Sequence, residues 1–357
     1  MLPPGCDTAL RALGVILAFM KAVVYSEQGA ADVLRVVQRP LPEPGAGEVR
    51  VALRVSGVNP TDWKSRRGGR GAMPFPEVVP NQDGAGVLDA VGSGVDPARV
   101  GEPVWVWEAQ WQRPGGTAQE YVTVPSEHAV RLPDDASFDL GASLGIPALT
   151  AHRCLTTFEG STGRLAPAVL AGRTVLVAGG AGAVGNAAIQ LARWAGATVL
   201  TTVSGPAKAE LATAAGAQTV VNYREGDPAA ALRAAAPEGV DLVVEVAPAA
   251  NAELDRAVLR PGGTVACYAT EASGDLTMPV FPLMAGNIRY QFVLVYTVPA
   301  DQKSAGVADV SAAVAAGALR VGVGAGLPLH RFPLEQTAAA HDAVEGGAVG
   351  KVLIDIT

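Results

Sequence analysis

The sequence of 357 residues is poor in the side chains that form disulfides or bind transition metals. Its three cysteines, Cys6, Cys154 and Cys267, are an odd number at wide intervals and lack the spacing of a metal site. This pattern argues against a disulfide framework and predicts a reducing compartment, the cytoplasm. The four histidines form no H-E-x-x-H pattern, so each is interpreted as a surface or core side chain rather than a metal ligand. They are His128, His152, His330 and His341.

The chain also lacks a long apolar run and an excess of positive charge. Its longest apolar stretch, residues 12–20, is about half the roughly 18 residues that a membrane span needs. The stretch follows only one cation, Arg11, and an acidic residue, Asp7, lies upstream, so it is a poor signal peptide. We predict that residues 1–19 are an extension outside the fold, with an apolar helix docked on a partner as the alternative. The net charge of −7 disfavours nucleic acids and anionic membranes as partners.

Glycine, by contrast, is placed in an informative pattern. The apolar run Thr174–Ala178 leads into Gly180, Gly182 and Gly185 at G-x-G-x-x-G spacing, and residues 186–195 have the apolar spacing of a helix. Glycines at such a turn let backbone N–H groups approach a pyrophosphate, whose charge the helix N-terminus favours. The strand before and the helix after are the context that the motif requires. The sequence therefore predicts a dinucleotide site.

The residues after the second predicted strand indicate which dinucleotide binds. An NAD site usually places Asp or Glu about 20 residues past the glycines, whereas an NADP site has a neutral or basic group there. Here the strand at 197–203 is followed by Ser204 and Lys208, with no carboxylate between them. We predict NADPH, with both side chains on the 2′-phosphate. The alternative for Lys208 is a solvated residue on the first turn of the next helix.

The pattern of predicted elements divides the chain into parts. Residues 20–147 contain short strand-like runs separated by Gly and Pro, which is typical of an all-β, barrel-like lobe. Residues 148–298 alternate strands with alanine-rich helices, which predicts a doubly wound parallel sheet whose last strand covers 289–298. The tail, 299–357, predicts helices over 300–316 and 334–345, strands near Val321 and His330, and a final strand over 350–356. This mixed tail indicates a substrate domain interrupted by the cofactor domain.

Several short segments match one known family together, in order and at similar intervals. They are Met20-Lys21-Ala22-Val23, Gly57-Val58-Asn59-Pro60, Gly84-Ala85-Gly86-Val87, Val91-Gly92, Gly145-Ile146-Pro147-Ala148-Leu149-Thr150-Ala151, the glycine turn, Val221-Asn222-Tyr223-Arg224-Glu225 and Gly350-Lys351-Val352. On these segments the chain resembles the zinc-independent, zeta-crystallin-like quinone oxidoreductases of the medium-chain dehydrogenase/reductase superfamily. The resemblance spans residues 20–357 and is more specific than the glycine turn alone.

The resemblance implies an α/β fold of two domains. A GroES-like β-rich domain, built from residues 20–147 and 299–357, would clasp a Rossmann domain with a doubly wound parallel sheet at 148–298. NADPH would lie in the cleft between the two domains. The extension at 1–19 would belong to neither domain. Members of this family usually pair through the last strand of the Rossmann sheet, so a homodimer is expected.

The resemblance also implies a set of cofactor-binding residues, by position in the chain. Its apolar and aromatic members, such as Phe292 and Val293, would equally be expected in a buried strand without any cofactor. The set comprises Thr150, Gly180, Ala181, Gly182, Ala183, Val184, Gly185, Ser204, Lys208, Tyr223, Asn251, Tyr268, Ala269, Thr270, Glu271, Phe292, Val293 and Leu294.

Two residues are predicted to act on the substrate, which we expect to be a quinone or another conjugated carbonyl such as an enone. The chain has no cysteine between Cys6 and Cys154, so the zinc sites of alcohol-oxidising relatives cannot be assembled in the first lobe. Without a metal we expect a conjugated acceptor, because the negative charge that hydride addition produces on it is then delocalised. Asn59 is predicted to orient the acceptor oxygen. Lys64 stands where many relatives have a tyrosine; it is either a general acid or a partner of Asp62 without a catalytic role.

Two other functions stay open at this stage. An enoyl-thioester reductase shares the fold and the hydride chemistry, but needs a channel for a phosphopantetheine arm. A non-catalytic NADPH-binding role, as a structural or RNA-binding protein, is opposed for RNA by the negative charge and the absence of interleaved basic and aromatic residues.

Overall fold

The computed structural model of the chain describes residues 18–69, 71–270 and 275–356. Most of the predicted extension, with Cys6, therefore lies outside the described residues. Its last two residues are part of the fold: Phe19 opens the first strand, and the Ala18 carbonyl accepts a hydrogen bond from the Leu41 amide at 2.8 Å. Within the described residues, no helix combines the length and the apolar character that a bilayer crossing needs.

Fifteen strands lie in the described part of the chain. They are β1 (Phe19–Val24), β2 (Arg35–Pro40), β3 (Glu48–Val58), β4 (Asp83–Val91), β5 (Pro103–Val106), β6 (Tyr121–Pro125), β7 (Ala129–Arg131), β8 (Thr174–Ala178), β9 (Thr198–Val203), β10 (Thr219–Asn222), β11 (Val240–Glu245), β12 (Leu259–Cys267), β13 (Arg289–Phe292), β14 (Leu329–Pro333) and β15 (Lys351–Asp355). Nine α-helices accompany them among the same residues. They are α1 (Pro60–Arg66), α2 (Phe138–Leu155), α3 (Ala183–Trp194), α4 (Pro206–Ala215), α5 (Pro228–Ala235), α6 (Pro248–Val258), α7 (Val280–Ala285), α8 (Ala300–Ala315) and α9 (Thr337–Glu345).

One sheet joins strands from the two ends of the chain. Its order is β14-β15-β3-β4-β5-β7, with β6 also paired to β3, and β1 and β2 form a separate antiparallel pair. From Val51 to Val55, strand β3 alternates buried residues with more exposed ones, as a sheet with one face on a core requires. Strand β15 pairs antiparallel with β3. The C-terminal residues of the described chain therefore lie beside the N-terminal lobe.

The second sheet has the order β10-β9-β8-β11-β12-β13, and all its strands are parallel. Its central strands β8 and β11 are almost fully buried runs rich in Val and Leu, which is typical of a parallel sheet covered on both faces. The strand order reverses between β8 and β11, which opens a crevice at their carboxyl ends. The predicted α/β fold class, a GroES-like β-rich domain with a doubly wound sheet, is confirmed.

Helix α2 is the main element that the sequence patterns do not predict. Nearly every residue from Gly141 to Leu155 is buried, so the helix lacks the polar face that makes an amphipathic period visible. A Cβ added to Gly141 would lie 2.7 Å from the Ala85 Cβ, so its first half packs closely on β4. Its second half contacts α8 through His152 and Asp309. The predicted division at residues 147 and 148 falls inside this helix.

Three predicted elements near the C-terminus are wrong in extent or type. The strand predicted over 289–298 ends at Phe292, because Val295 and Tyr296 turn inward in a 3₁₀ turn and join the core. Near Val321 the chain forms a 3₁₀ turn, Val323–Ala325, rather than a strand. The helix predicted over 334–345 begins with a 3₁₀ turn and becomes α-helical at Thr337.

Candidate active site

The predicted dinucleotide turn has the geometry that its glycines indicate. Helix α3 begins directly after Gly182 at the carboxyl end of β8. A Cβ on Gly180 would lie 2.2 Å from the Thr201 Oγ1, and one on Gly185 would lie 2.4 Å from the Gly179 carbonyl oxygen. Glycine is therefore required at both positions for α3 to approach the sheet this closely. The turn leaves a cradle free of side chains, which fits a pyrophosphate at the start of the helix.

The polar residues predicted for the 2′-phosphate lie together at the ends of β9 and β10. The Lys208 Nζ donates a hydrogen bond to the Ser204 Oγ at 3.0 Å. Tyr223 follows β10 with an exposed side chain, and the Arg224 guanidinium lies 6.0 Å from its ring centroid. Arg224 is a second cation and is not among the predicted site residues, although its position beside Tyr223 in a matched segment is a usable signal.

The remaining predicted cofactor residues differ in their surroundings. Thr150 is buried in α2, and the Asn251 Nδ2 donates to both Glu245 carboxylate oxygens at 2.9 and 3.1 Å. Burial raises the pKa of Tyr268 above its usual range. Ala269 and Thr270 follow β12, whereas Glu271 lies outside the described residues. Val293 is buried between Phe292 and Leu294, which are exposed.

Asn59 is the centre of a buried polar cluster at the start of α1. Its Oδ1 accepts a hydrogen bond from the Lys351 Nζ at 2.7 Å, and its Nδ2 donates to the Asp83 Oδ2 at 2.7 Å. The other Asp83 oxygen accepts from the Ile146 amide at 2.9 Å. The Lys351 Nζ also lies 3.5 Å from the Asp83 Oδ2. Four distant segments of the chain therefore meet in this cluster, and two of them, at Asp83 and Lys351, contact the Asn59 amide.

Electrostatics in this cluster follow from burial. Burial raises the pKa of Asp83, while the Lys351 charge and the hydrogen bond from Asn59 oppose that rise. Burial likewise lowers the pKa of Lys351 against the charge of Asp83. No predicted site residue corresponds to Asp83 or Lys351, although Lys351 lies in the matched segment Gly350-Lys351-Val352.

Lys64, the second predicted catalytic residue, lies in α1 but outside this cluster. Its Nζ is 5.8 Å from the ring centroid of the preceding Trp63. The Asp62 carboxylate, its alternative partner, accepts a hydrogen bond from the Asn59 backbone amide at 2.7 Å. Lys351, rather than Lys64, is the ammonium that contacts the Asn59 side chain. A catalytic role for Lys64 stays a prediction.

A second buried ion pair joins the first lobe to α8. The Glu108 Oε2 accepts from the Lys303 Nζ at 2.7 Å, and the same ammonium donates to the Tyr296 carbonyl at 2.9 Å. The Tyr296 ring stacks on Trp111 with centroids 4.6 Å apart, and its hydroxyl donates to the Thr61 Oγ1 at 3.2 Å. No sequence pattern marks this group, since Glu108 and Lys303 are 195 residues apart.

Two family models match the two parts of the fold. Residues 45–134 match the alcohol dehydrogenase GroES-like domain, and residues 183–311 match the family described as zinc-binding dehydrogenase. The chain belongs to the medium-chain dehydrogenase/reductase superfamily. It is an oxidoreductase, and an oxidoreductase with this Rossmann-type domain needs a nicotinamide cofactor.

Members of the superfamily similar to this chain include curated proteins and solved structures. Human quinone oxidoreductase is 29% identical over 339 residues, which covers 94% of this chain and 97% of that protein. The structure of mycobacterial Rv1454c complexed with NADPH is 29% identical with a TM-score of 0.78, and the match covers 94% of this chain and 100% of that one. A structure named NAD-dependent alcohol dehydrogenase is 28% identical with a TM-score of 0.80, over 95% and 100% of the two chains.

One of the two matching families is described as zinc-binding, but the side chains that the structure describes do not form a zinc site. In the part of the chain that the structure describes, no group of three or more His, Cys, Asp and Glu side chains is arranged to hold a metal ion. The polar cluster at Asn59 offers one carboxylate and one amide, and the Lys351 ammonium already lies against both. Zinc sites in proteins use three or four Cys, His or carboxylate ligands. The donors at this cluster do not fit a zinc ion.

Proposed function

We propose that the chain transfers hydride from NADPH to a quinone or another conjugated carbonyl, without a metal ion. The observation that carries this proposal is the cluster at Asn59, where an amide, a carboxylate and an ammonium converge and each is buried. Such a cluster can present a hydrogen-bond donor to an acceptor oxygen. The similarity to human quinone oxidoreductase over 94% of the chain supports the same reaction class.

The cofactor residues support NADPH in particular. When bound, this cofactor supplies the hydride. The glycine turn would hold its pyrophosphate, and the Lys208 ammonium with the Ser204 hydroxyl would bind its 2′-phosphate. A phosphate with about −1.5 to −2 charges is well matched by an ammonium and a hydroxyl. Arg224 adds a cation at the end of the neighbouring strand.

The chemistry of the acceptor follows from what the site can stabilise. Hydride addition to an isolated ketone produces a localised alkoxide, which generally needs a Lewis acid. Addition to a quinone or to the β-carbon of an enone places the charge in a delocalised phenolate or enolate. A donor such as the Asn59 Nδ2 can orient that oxygen and stabilise its charge, and water can supply the proton.

Oxidation of NADPH can be followed with 1,4-benzoquinone and with crotonyl-CoA in parallel. We expect turnover with the quinone and little with the thioester. The reverse preference would favour the alternative, an enoyl-thioester reductase of the same superfamily. Tight NADPH binding without turnover of either compound would instead support a non-catalytic role and contradict the proposal.

Replacing Lys208 with alanine is expected to weaken NADPH binding about ten- to a hundredfold, because a hydrogen bond to a charged phosphate contributes about 1.5–3 kcal/mol. NADH is the matched control ligand, since it lacks the 2′-phosphate. Fluorescence titration of both coenzymes measures the two dissociation constants. An equal loss for NADH would show that Lys208 does not bind the 2′-phosphate.

We further propose that two copies pair through β13. Among the described strands, β13 lies at the end of its sheet and has one edge that no other strand pairs with. Phe292 on the strand is 61% exposed, and Phe281 and Met284 on the neighbouring α7 are 78% and 66% exposed. An unpaired strand edge beside exposed apolar side chains is typical of a protein–protein interface.

Replacing Phe292 with lysine is expected to convert a dimer into a monomer, because a charge would then lie in the interface. Light scattering of the purified protein gives the mass directly. Val323→Lys is the matched control, since Val323 is 68% exposed in a turn that packs on α4, beside β9 and β10 at the other end of the sheet from β13. A wild-type monomer, or a dimer that both variants leave intact, would contradict pairing through β13.

A further inference from the structure

The ion pair of Asp83 and Lys351 beside Asn59 is buried at a cost in free energy. Asp83 and Lys351 are 0% and 1% exposed, respectively. Removing two charges from water is costly, and apolar residues of similar volume usually stabilise a fold as well or better. Stability alone therefore does not explain a buried ammonium and carboxylate at this position.

The backbone around the pair leaves room for these two side chains. A Cβ on Gly145 in α2 would lie 2.0 Å from the Asp83 Oδ1. One on Gly57 in β3 would lie 2.0 Å from the Ala142 carbonyl oxygen of α2 and 3.0 Å from the Lys351 Cε. Both glycines have ordinary φ angles, so conformational freedom does not account for them. Gly145 keeps space for the Asp83 carboxylate, whereas Gly57 keeps space first for the Ala142 carbonyl of α2 and then for the Lys351 side chain.

The contacts of the pair determine how the Asn59 amide is turned. An ammonium can only donate hydrogen bonds, so the atom facing the Lys351 Nζ at 2.7 Å must be the Asn59 oxygen. The amide nitrogen then faces the Asp83 Oδ2, also at 2.7 Å. One hydrogen on Nδ2 is used by Asp83. The second hydrogen points in a direction that Lys351 and Asp83 fix together.

We propose that Lys351 is a positioning residue of the reaction, which with Asp83 fixes and polarises the Asn59 amide so that its second N–H binds the acceptor oxygen. This inference rests on the proposed function. Lys351 acts through Asn59 and needs no contact with the substrate. The ammonium draws electron density from the amide oxygen, which makes the N–H a stronger donor as charge develops on the acceptor.

The test compares a single variant with a neutral double variant. Lys351→Met alone leaves the Asp83 charge buried without its cation, so this variant is expected to unfold at a lower temperature. Lys351→Met combined with Asp83→Asn removes both charges and keeps both volumes. We expect the double variant to recover most of the thermal stability and the wild-type dissociation constant for NADPH.

The decisive readout is the split between kcat and KM with 1,4-benzoquinone. Loss of one donor to a developing oxyanion typically lowers turnover about 10²–10³-fold. We expect the stable double variant to lose kcat on about that scale while KM for the quinone changes little. A folded double variant with wild-type kcat would overturn the positioning role and show that the pair is structural. A wild-type protein that does not reduce the quinone would instead contradict the proposed function itself, which is a different result from an active double variant.

Discussion

Replacing Asp309 with alanine is expected to lower the free energy of unfolding by about 2–4 kcal/mol, because it leaves two buried donors, the His152 ring N–H and the Leu165 amide, without their acceptor. Asp309 lies in α8 and is 2% exposed. Its carboxylate accepts hydrogen bonds from the His152 Nε2 at 2.9 Å, the Arg164 Nε at 2.9 Å and the Leu165 amide at 2.7 Å. These contacts join α8 to α2 and to the segment that precedes β8.

The same network makes a prediction about pH. Burial opposes ionisation of Asp309, but hydrogen bonds from His152, Arg164 and the Leu165 amide outweigh it and lower the pKa to about 2. A carboxyl whose pKa is lowered on folding stabilises the fold above its unfolded value, near 4. That contribution is lost as the pH falls from about 4 to about 2.

Unfolding in urea, followed by circular dichroism, measures the effect of Asp309→Ala. Asp301→Ala is the matched control, since Asp301 is an exposed acid in the first turn of the same helix. We expect that control to change stability by less than about 1 kcal/mol. Equal effects of the two substitutions would contradict the role given to Asp309.

Glu108 is expected to make the fold less stable as the pH rises from about 4.5 to about 7. Burial raises the pKa of Glu108 to about 7, against the hydrogen bond and charge of Lys303. A carboxyl with a raised pKa binds its proton more tightly in the folded state, so the protonated fold is favoured below that window and the advantage is lost above it. A shift of this size corresponds to about 3 kcal/mol.

The position of Glu108 explains why its charge is unfavourable. Its Oε2 contacts Lys303, whereas its Oε1 is buried and has no hydrogen-bond partner among the residues that the structure describes. Its backbone has φ of +49°, a left-handed conformation that is uncommon outside glycine. Both features indicate that the surrounding structure holds this side chain in place at some cost.

Measuring stability against pH for the wild type and for Glu108→Gln isolates this contribution. The difference between the two curves should change between about pH 4.5 and pH 7 and be flat outside that window. Glu210→Gln, a substitution of an exposed acid in α4, should leave the wild-type curve unchanged. Parallel curves for wild type and Glu108→Gln would contradict the raised pKa of Glu108.

The sequence predicts those parts of the fold whose pattern lies in consecutive residues. The unit from β8 through Gly180 to α3 is predictable, because strand, glycine turn and helix are consecutive and each has its own pattern. Strand β8 is predicted at its observed bounds, Thr174–Ala178, for the same reason. Helix α2 is not predicted, because burial on all sides removes the polar face that periodicity needs.

In the candidate site, too, the sequence predicts residues that lie in short segments but not contacts between residues far apart in the chain. Asn59 and the pair Ser204 and Lys208 can be selected from short segments. The Lys351 contact to Asn59 cannot, because it joins residues 292 positions apart and exists only once β15 lies beside β3. Lys64 is selected because it is near Asn59 in sequence, whereas the fold places the distant ammonium on that amide.

The most direct test of this account measures reduction of 1,4-benzoquinone by NADPH before and after dialysis against a zinc chelator, with metal analysis of both samples. We predict that the rate is unchanged and that neither sample contains stoichiometric zinc. A protein that carries one zinc per chain, loses its activity on chelation and regains it with added zinc would contradict the account.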